Sequence, residues 1–315
     1  MYKKVMLATV FTVFALDAAA TSVKNDFDGD GNSDILWQKN DNDVHFIWHM
    51  SAAGKIDSQV QGGATMTVQG TGDFNGDGYS DILWQRDSDK RHFIWHMDAN
   101  GRIYDLADPT DPGQQGIGAD HMTVKAIGDF NGDGFSDIIW QGNIHGGHHL
   151  WHMDADGRVG ASQALGAKTF AVKGAGDFNG DGNSDILWQR SSDERHFIWL
   201  MDASGQIGTL GIGANYMTVK GVGDFNGDGN SDILWQKNDN GVHFIWHMNE
   251  FGKIDSQVQG GKNFLVRSIG DYNGDGYSDI LWQKHTNGIH FIWHMDELGW
   301  INVQGIGANY MMVRD

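Results

Sequence analysis

A nine-residue pattern recurs six times in this chain of 315 residues, and its regularity restricts the fold more than any other feature. In the fifth copy it reads Asp224-Phe225-Asn226-Gly227-Asp228-Gly229-Asn230-Ser231-Asp232, followed by Ile233-Leu234-Trp235-Gln236. The first Asp of each copy falls at Asp26, Asp73, Asp129, Asp177, Asp224 and Asp271, in steps of 47, 56, 48, 47 and 47 residues. A period of this size marks an array of repeated supersecondary units.

The fifth unit shows what is repeated. Residues 217–223 are β-prone and lead into the motif, and 231–236, 242–248 and 253–259 read as three further strands. Gly, Asn and Asp punctuate them at 237–241, 249–252 and 260–263. Outside the N-terminus no window carries a helical period. Four short strands in about 47 residues are the blade of a β-propeller. The expected fold is therefore all-β, a six-bladed propeller forming a single domain over 21–315. Such a ring must close. Residues 305–314 nearly copy 211–220, and the segment from Thr21 to Asn25 is a truncated lead-in. The C-terminal segment is expected to dock beside blade one.

The motif places oxygen side chains at positions 1, 3, 5 and 9, with Gly at 4 and 6. Ca²⁺ takes about 6–8 oxygen ligands, and D-x-[DN]-x-[DN]-G is the front half of a calcium loop. The candidate ligands are Asp26, Asp28, Asp30 and Asp34 in the first copy, and Asp73, Asn75, Asp77 and Asp81 in the second. They continue as Asp129, Asn131, Asp133 and Asp137, then Asp177, Asn179, Asp181 and Asp185. The last two copies offer Asp224, Asn226, Asp228 and Asp232, and Asp271, Asn273, Asp275 and Asp279. Position 7 varies (Asn32, Tyr79, Phe135, Asn183, Asn230, Tyr277), which suits a ligand supplied by the backbone carbonyl. Position 12, a Glu in an EF-hand, is Trp in every copy. A metal-free turn is the competing reading for one copy, but six copies with one oxygen spacing favour Ca²⁺, up to six ions at one per blade.

The formal charge of −19 belongs largely to these loops, which hold 19 Asp. A chain this acidic lacks the basic patches that nucleic acids and anionic membranes require. No Cys is present, so thiolate metal sites and disulfides are excluded. Lys3 and Lys4 precede an uncharged run from Val5 to Leu16, and Ala18-Ala19-Ala20 follows. This is the pattern of a signal peptide over residues 1–20, too short to span a bilayer. The expectation is cleavage near Ala20 and a secreted or periplasmic protein without membrane insertion.

The run D-F-N-G-D-G-x-S-D-I-L-W-Q, followed by His243-Phe244-Ile245-Trp246-His247-Met248, resembles the FG-GAP/VCBS repeats, the group that includes the integrin α-subunit propeller. The resemblance covers the whole chain after the leader. It implies a Ca²⁺ loop between the first two strands of each blade, and partner binding by loops at the opposite end. Those would be turns such as 87–90 and 143–147 and links such as 62–64. Integrin propellers have seven blades, where this chain has six motifs. Some calcium-containing propellers with similar repeats are lectins.

Trp recurs twice per unit, after the loop at Trp37, Trp84, Trp140, Trp188, Trp235 and Trp282, and on the third strand at Trp48, Trp95, Trp151, Trp199, Trp246 and Trp293. The third strand also carries His45, His92, His149, His196, His243 and His290. An indole stacks on sugar C–H faces as readily as it packs a core, and both sets are read first as packing and second as ligand contacts. A second His set (His49, His96, His152, His247, His294) is interrupted by Leu200, which argues for a structural role. His145, His148, His149 and His152 cluster in unit three, the candidate place for a transition metal. Both prolines, Pro109 and Pro112, fall in an insertion near 105–115. No G-x-S-x-G, H-E-x-x-H, sialidase-type Asp box or phosphate-cradling loop is present. The chain is expected to bind rather than catalyse, with glycans or a cell-surface or extracellular protein as partner.

Overall fold

The computed structural model describes residues 24–62, 64–98, 114–166, 168–260, 262–307 and 311–314. The leader and most of the 105–115 insertion lie outside them. The described residues form six four-stranded antiparallel sheets and no helix. In blade five the strands are Met217–Gly223, Asp232–Lys237, His243–Asn249 and Gly252–Gly260, paired in that order. The metal-type loop joins the first two strands, at the end that also carries the turn between the third and fourth.

Blade one closes the ring. Its inner strand is Met311–Val313, from the far end of the chain, paired with Ile35–Lys39 in the register Trp37↔Val313 to Lys39↔Met311. Arg314 continues the seam: its N–H donates to the Leu36 carbonyl at 2.8 Å and its guanidinium to Gln38. Residues 299–307, by contrast, complete blade six. The closing strand is thus the last part of the expected segment only.

The core is six inter-blade layers of one recipe. The second strand is buried on both faces, as in Ile233-Leu234-Trp235. Between blades four and five, Phe178, Leu187 and Ile198 meet Ile233, Trp235 and Met248. Between five and six, Phe225, Leu234 and Ile245 meet Ile280, Trp282 and Met295. The Phe at motif position 2 is therefore the plug that seats each loop on the next blade; at the sixth copy Tyr272 does the same toward blade one.

The loops also bond to one another directly. The N–H at motif position 8 donates to the carbonyl of position 1 in the preceding copy: Ser80 to Asp26 at 2.7 Å, Ser136 to Asp73 at 2.6 Å, and Ser231 to Asp177 at 2.5 Å. Ser33 donates to Asp271 at 2.6 Å, which joins the first copy to the last. This contact explains the Gly that precedes five of the six motifs; Asn25 stands there in the first. A Cβ on Gly176 would lie 2.6 Å from Ser231 Oγ, and one on Gly270 2.5 Å from Ser33 Oγ. Position 7 then covers the preceding Gly at position 4, as Tyr277 does over Gly227.

Deleting residues 311–315 removes the inner strand of blade one and one side of its interfaces. The truncated protein is expected to lose more stability than the severest single substitutions cost, over ~4 kcal/mol, measured by thermal or denaturant melting. A truncation that melts like the full chain would contradict closure by this strand.

Candidate metal loops and the clefts between blades

Each loop folds around its first carboxylate. Asp224 Oδ1 accepts the N–H groups of Gly227 and Asp228 at 2.7 and 3.2 Å, and Oδ2 that of Gly229 at 2.8 Å. The chain turns this tightly because Gly227 and Gly229 sit at φ 71° and 84°, where side chains are strained. Asn226 Nδ2 donates to Asp228 Oδ2 at 3.0 Å, and Asp228 Oδ1 accepts the Asn230 N–H at 2.8 Å. Carboxylate and amide oxygens thus gather in one short loop. In the first copy the Asp26, Asp28 and Asp30 carboxylates come within 4.8 Å of one another. A set of hard oxygens carrying net negative charge fits a hard cation such as Ca²⁺. Burial, and then the neighbouring carboxylates, push Asp26 above its ordinary range, a cost that a bound cation would relieve.

Position 9 is the most buried member of the set. Asp34, Asp81, Asp137, Asp185, Asp232 and Asp279 expose 1% or less. Each takes two backbone donors, as Asp232 takes Phe225 N–H at 3.0 Å and Met248 N–H at 2.9 Å. In five blades a histidine from the third strand completes it. His49, His96, His152, His247 and His294 place Nδ1 2.8 to 3.0 Å from the carboxylate. These are the histidines of the interrupted set. Their link to the loop is a fixed 15-residue separation from the position 9 Asp. In blade four Leu200 takes the histidine's place, and burial pushes Asp185 up to about 7. Burial pushes Asp34 and Asp81 to about 6, against the opposing pull of their histidine partners.

The other histidines have a different task. His45, His92, His148, His196, His243 and His290 are fully buried, each edge-on to the first Trp of the next blade at 4.7 to 4.9 Å between ring centres. Burial lowers His196 to about 4 and also lowers His92, so both are neutral packing groups. No face of these rings is left for a ligand, which removes His45, His92, His196, His243 and His290 as ligand contacts. The member in blade three is His148, not His149: His148 pairs with Gln141, as His243 pairs with Gln236. His149 occupies the Phe244 position and is half-buried.

The two Trp sets also divide. The first is wholly buried. In the second, Trp48, Trp151, Trp199, Trp246 and Trp293 are half-buried, while Trp95 is 1% exposed. Each half-buried indole lies at the outer part of an inter-blade layer. Trp246 packs with Leu210 and Ile212 of blade four, and Trp48 with Ile306 of blade six. The fourth strand of the preceding blade supplies the opposite wall. In blade five, Asp255 and Gln257 pair with His247 and Ile245 and so share the face turned to blade six, where Gln257 Nε2 reaches the Leu298 carbonyl at 2.7 Å. Lys55 and Lys253 stand over Trp48 and Trp246 at 4.3 and 4.4 Å.

The end of blade three opposite its loop carries the unit-three histidines. A cavity of about 360 Å³ there is lined by His121, Asn143, Ile144, His145, His149 and Lys168, among others. Of the unit-three histidine cluster, His145, His148 and His149 reach this cavity. His152 lies at the other end, on Asp137.

The buried carboxyls set a pH dependence for the metal-free protein. An Asp raised above its ordinary value near 3.8 holds its proton longer folded than unfolded, so stability falls as pH climbs through that window. The window closes at about 6 for Asp34 and Asp81 and at about 7 for Asp185. Burial lowers His49, His247 and His294, but the carboxylates around them outweigh it, and in His152 the Asp137 bond leads; all four end raised, so their contribution is full at low pH and lost as pH rises through the folded value. All act in one direction. Metal-free protein is expected to melt at lower temperature at about pH 7.5 than at about pH 5, with added Ca²⁺ raising the melting temperature more at the higher pH. A metal-free melting temperature that rises over this interval would contradict the assignment.

Among solved structures, the chain is similar to a Dos1 propeller (12% identity, 88% of this chain and 69% of that one, TM-score 0.44). It is also similar to the Cps50 (Swd1) β-propeller domain of Myceliophteria thermophila (11%, 93% and 95%, TM-score 0.47). A quinonprotein alcohol dehydrogenase-like protein from Bacteroides thetaiotaomicron is a third (8%, 91% and 68%, TM-score 0.44). No curated protein matches the sequence. The profile of the FG-GAP-like repeat matches at residues 73–140, 129–188, 177–235 and 224–282. Those matches span most of the motif array, and the chain belongs to the FG-GAP-like repeat family.

Proposed function

We propose that this propeller is a secreted, calcium-stabilised binding protein without catalytic chemistry, and that it takes glycans in the clefts between its blades. The observation that carries the reading is the half-buried Trp repeated at one place in five of the six blades. An indole with one face partly open stacks on the C–H face of a sugar ring. The facing strand offers hydroxyl-binding groups: Asp255 and Gln257 from blade five toward Trp293, and Asn302 and Gln304 from blade six toward Trp48. Near-identical clefts suit several weak, equivalent sites whose linkage raises avidity. Ca²⁺ in the loops would neutralise carboxylates and fix the blade ends that frame these clefts. The signal-type leader supports export, and among the described residues no helix is long and apolar enough to cross a membrane.

A second reading, recognition of an extracellular or cell-surface protein, is favoured by the blade-three cavity, whose Ile144 is 79% exposed. A glycan array probed with and without Ca²⁺ separates the two. The expected result is Ca²⁺-dependent binding that falls about tenfold or more when Trp48→Ala and Trp293→Ala are combined, through lost avidity. An array left blank at tens of micromolar protein would reject the glycan reading. Capture of a surface protein abolished by Ile144→Glu would then support the second.

A further inference from the structure

We infer that the loop of blade one is a transition-metal site, built by His49 with Asp28 and Asp34, and distinct in chemistry from the other five loops. The inference replaces the calcium reading in this one loop, whose Asp28 and Asp34 it reassigns, and leaves the other five loops as they stand.

Position 3 of the motif is Asn in five copies and Asp28 in the first. The change redirects the side chain. In the other copies the Asn amide nitrogen donates to the position 5 Asp, at 2.8 to 3.0 Å. A carboxylate cannot make that bond. Asp28 instead brings Oδ2 to 3.3 Å from His49 Nδ1, while Asp34 Oδ2 lies 3.0 Å from the same nitrogen. These three ligand atoms fall within 4.8 Å of one another, and theirs is the one histidine-containing cluster of this kind among the described residues.

The dimensions suit a first-row divalent ion. Zn–N and Zn–O bonds of about 2.0–2.2 Å give a tetrahedron edge of ~3.3 Å, close to the two separations around His49 Nδ1. Imidazole nitrogen is a ligand for Zn²⁺, Ni²⁺ and Cu²⁺, whereas Ca²⁺ prefers oxygen alone. His49 is 6% exposed, so its ring is held in place by packing. Its remaining nitrogen, Nε2, faces Asp57 Oδ1 at 4.0 Å, beyond hydrogen-bond distance, so Asp57 adds negative charge near the ring and no orienting bond. Blade five repeats every part but one. His247 lies on Asp232 and its Nε2 is 3.9 Å from Asp255, but position 3 is Asn226.

The full-length protein, stripped of metal, is titrated with Zn²⁺ against a colorimetric chelator and with Co²⁺ by visible absorption. The wild type is expected to hold a single equivalent of Zn²⁺ more tightly than any other, and to give a Co²⁺ ligand-field band. His49→Leu and Asp28→Asn each place in blade one a residue that another blade already carries. Each is expected to weaken the tight equivalent by about tenfold or more, and to lose the band. Asn226→Asp is expected to create a second tight equivalent in blade five. Wild type without a distinguished equivalent, or an equivalent that survives both loss variants, would overturn the site. Asn226→Asp without a gain would overturn the role given to the position 3 carboxylate.

Discussion

The fold depends on a ring of backbone hydrogen bonds between successive loops. Each position 8 N–H reaches the position 1 carbonyl of the loop before it, and Ser33 to Asp271 completes the circle. The acidic loops are consequently not separate ornaments at the blade ends. Their spacing is fixed by one short contact, and the residues around it follow from steric necessity. Ser is small enough to sit under the preceding strand, Gly leaves it room, and the position 2 aromatic plugs the layer below. Hydrophobic layers supply most of the driving force, at about 25 cal/mol per Å² of apolar surface buried. The ring decides where those layers register.

This arrangement assigns separate duties to residues that look alike in sequence. Six imidazoles are sealed against indoles. Five others, four residues further along the same strands, hold the deepest carboxylate of a loop. A blade turns both faces of its third strand toward other blades, so alternation by itself does not say which face stays open. The face carrying Phe244 and Trp246 is the less buried one, and the face with His243, Ile245 and His247 is closed.

Much of this was legible before any coordinates. The period of about 47 residues gave the blades, and the copied segment at 305–314 pointed to the closing strand. The oxygen spacing located the loops. Two things escaped. The second histidine set reads as structural because Leu200 interrupts it, but its partner went unnamed, although the separation of 15 residues ties every member to a loop Asp. The doubled histidine of blade three hid the register, since His148 and His149 both fit the pattern until strand pairing fixes Gln141 opposite His148. Contacts between repeats, such as Tyr277 over Gly227, are invisible to any reading that takes one repeat at a time.

Linear arrays of repeats open from their ends, because a terminal unit is held on one side only. Here the seam at Met311–Val313 and the bond from Ser33 to Asp271 leave no terminal unit. The first blade to separate must part from two neighbours together, before the chain gains the entropy that would offset the loss. Resistance to opening is then a property of the whole circle. It appears as a slow unfolding rate more than as a large equilibrium stability.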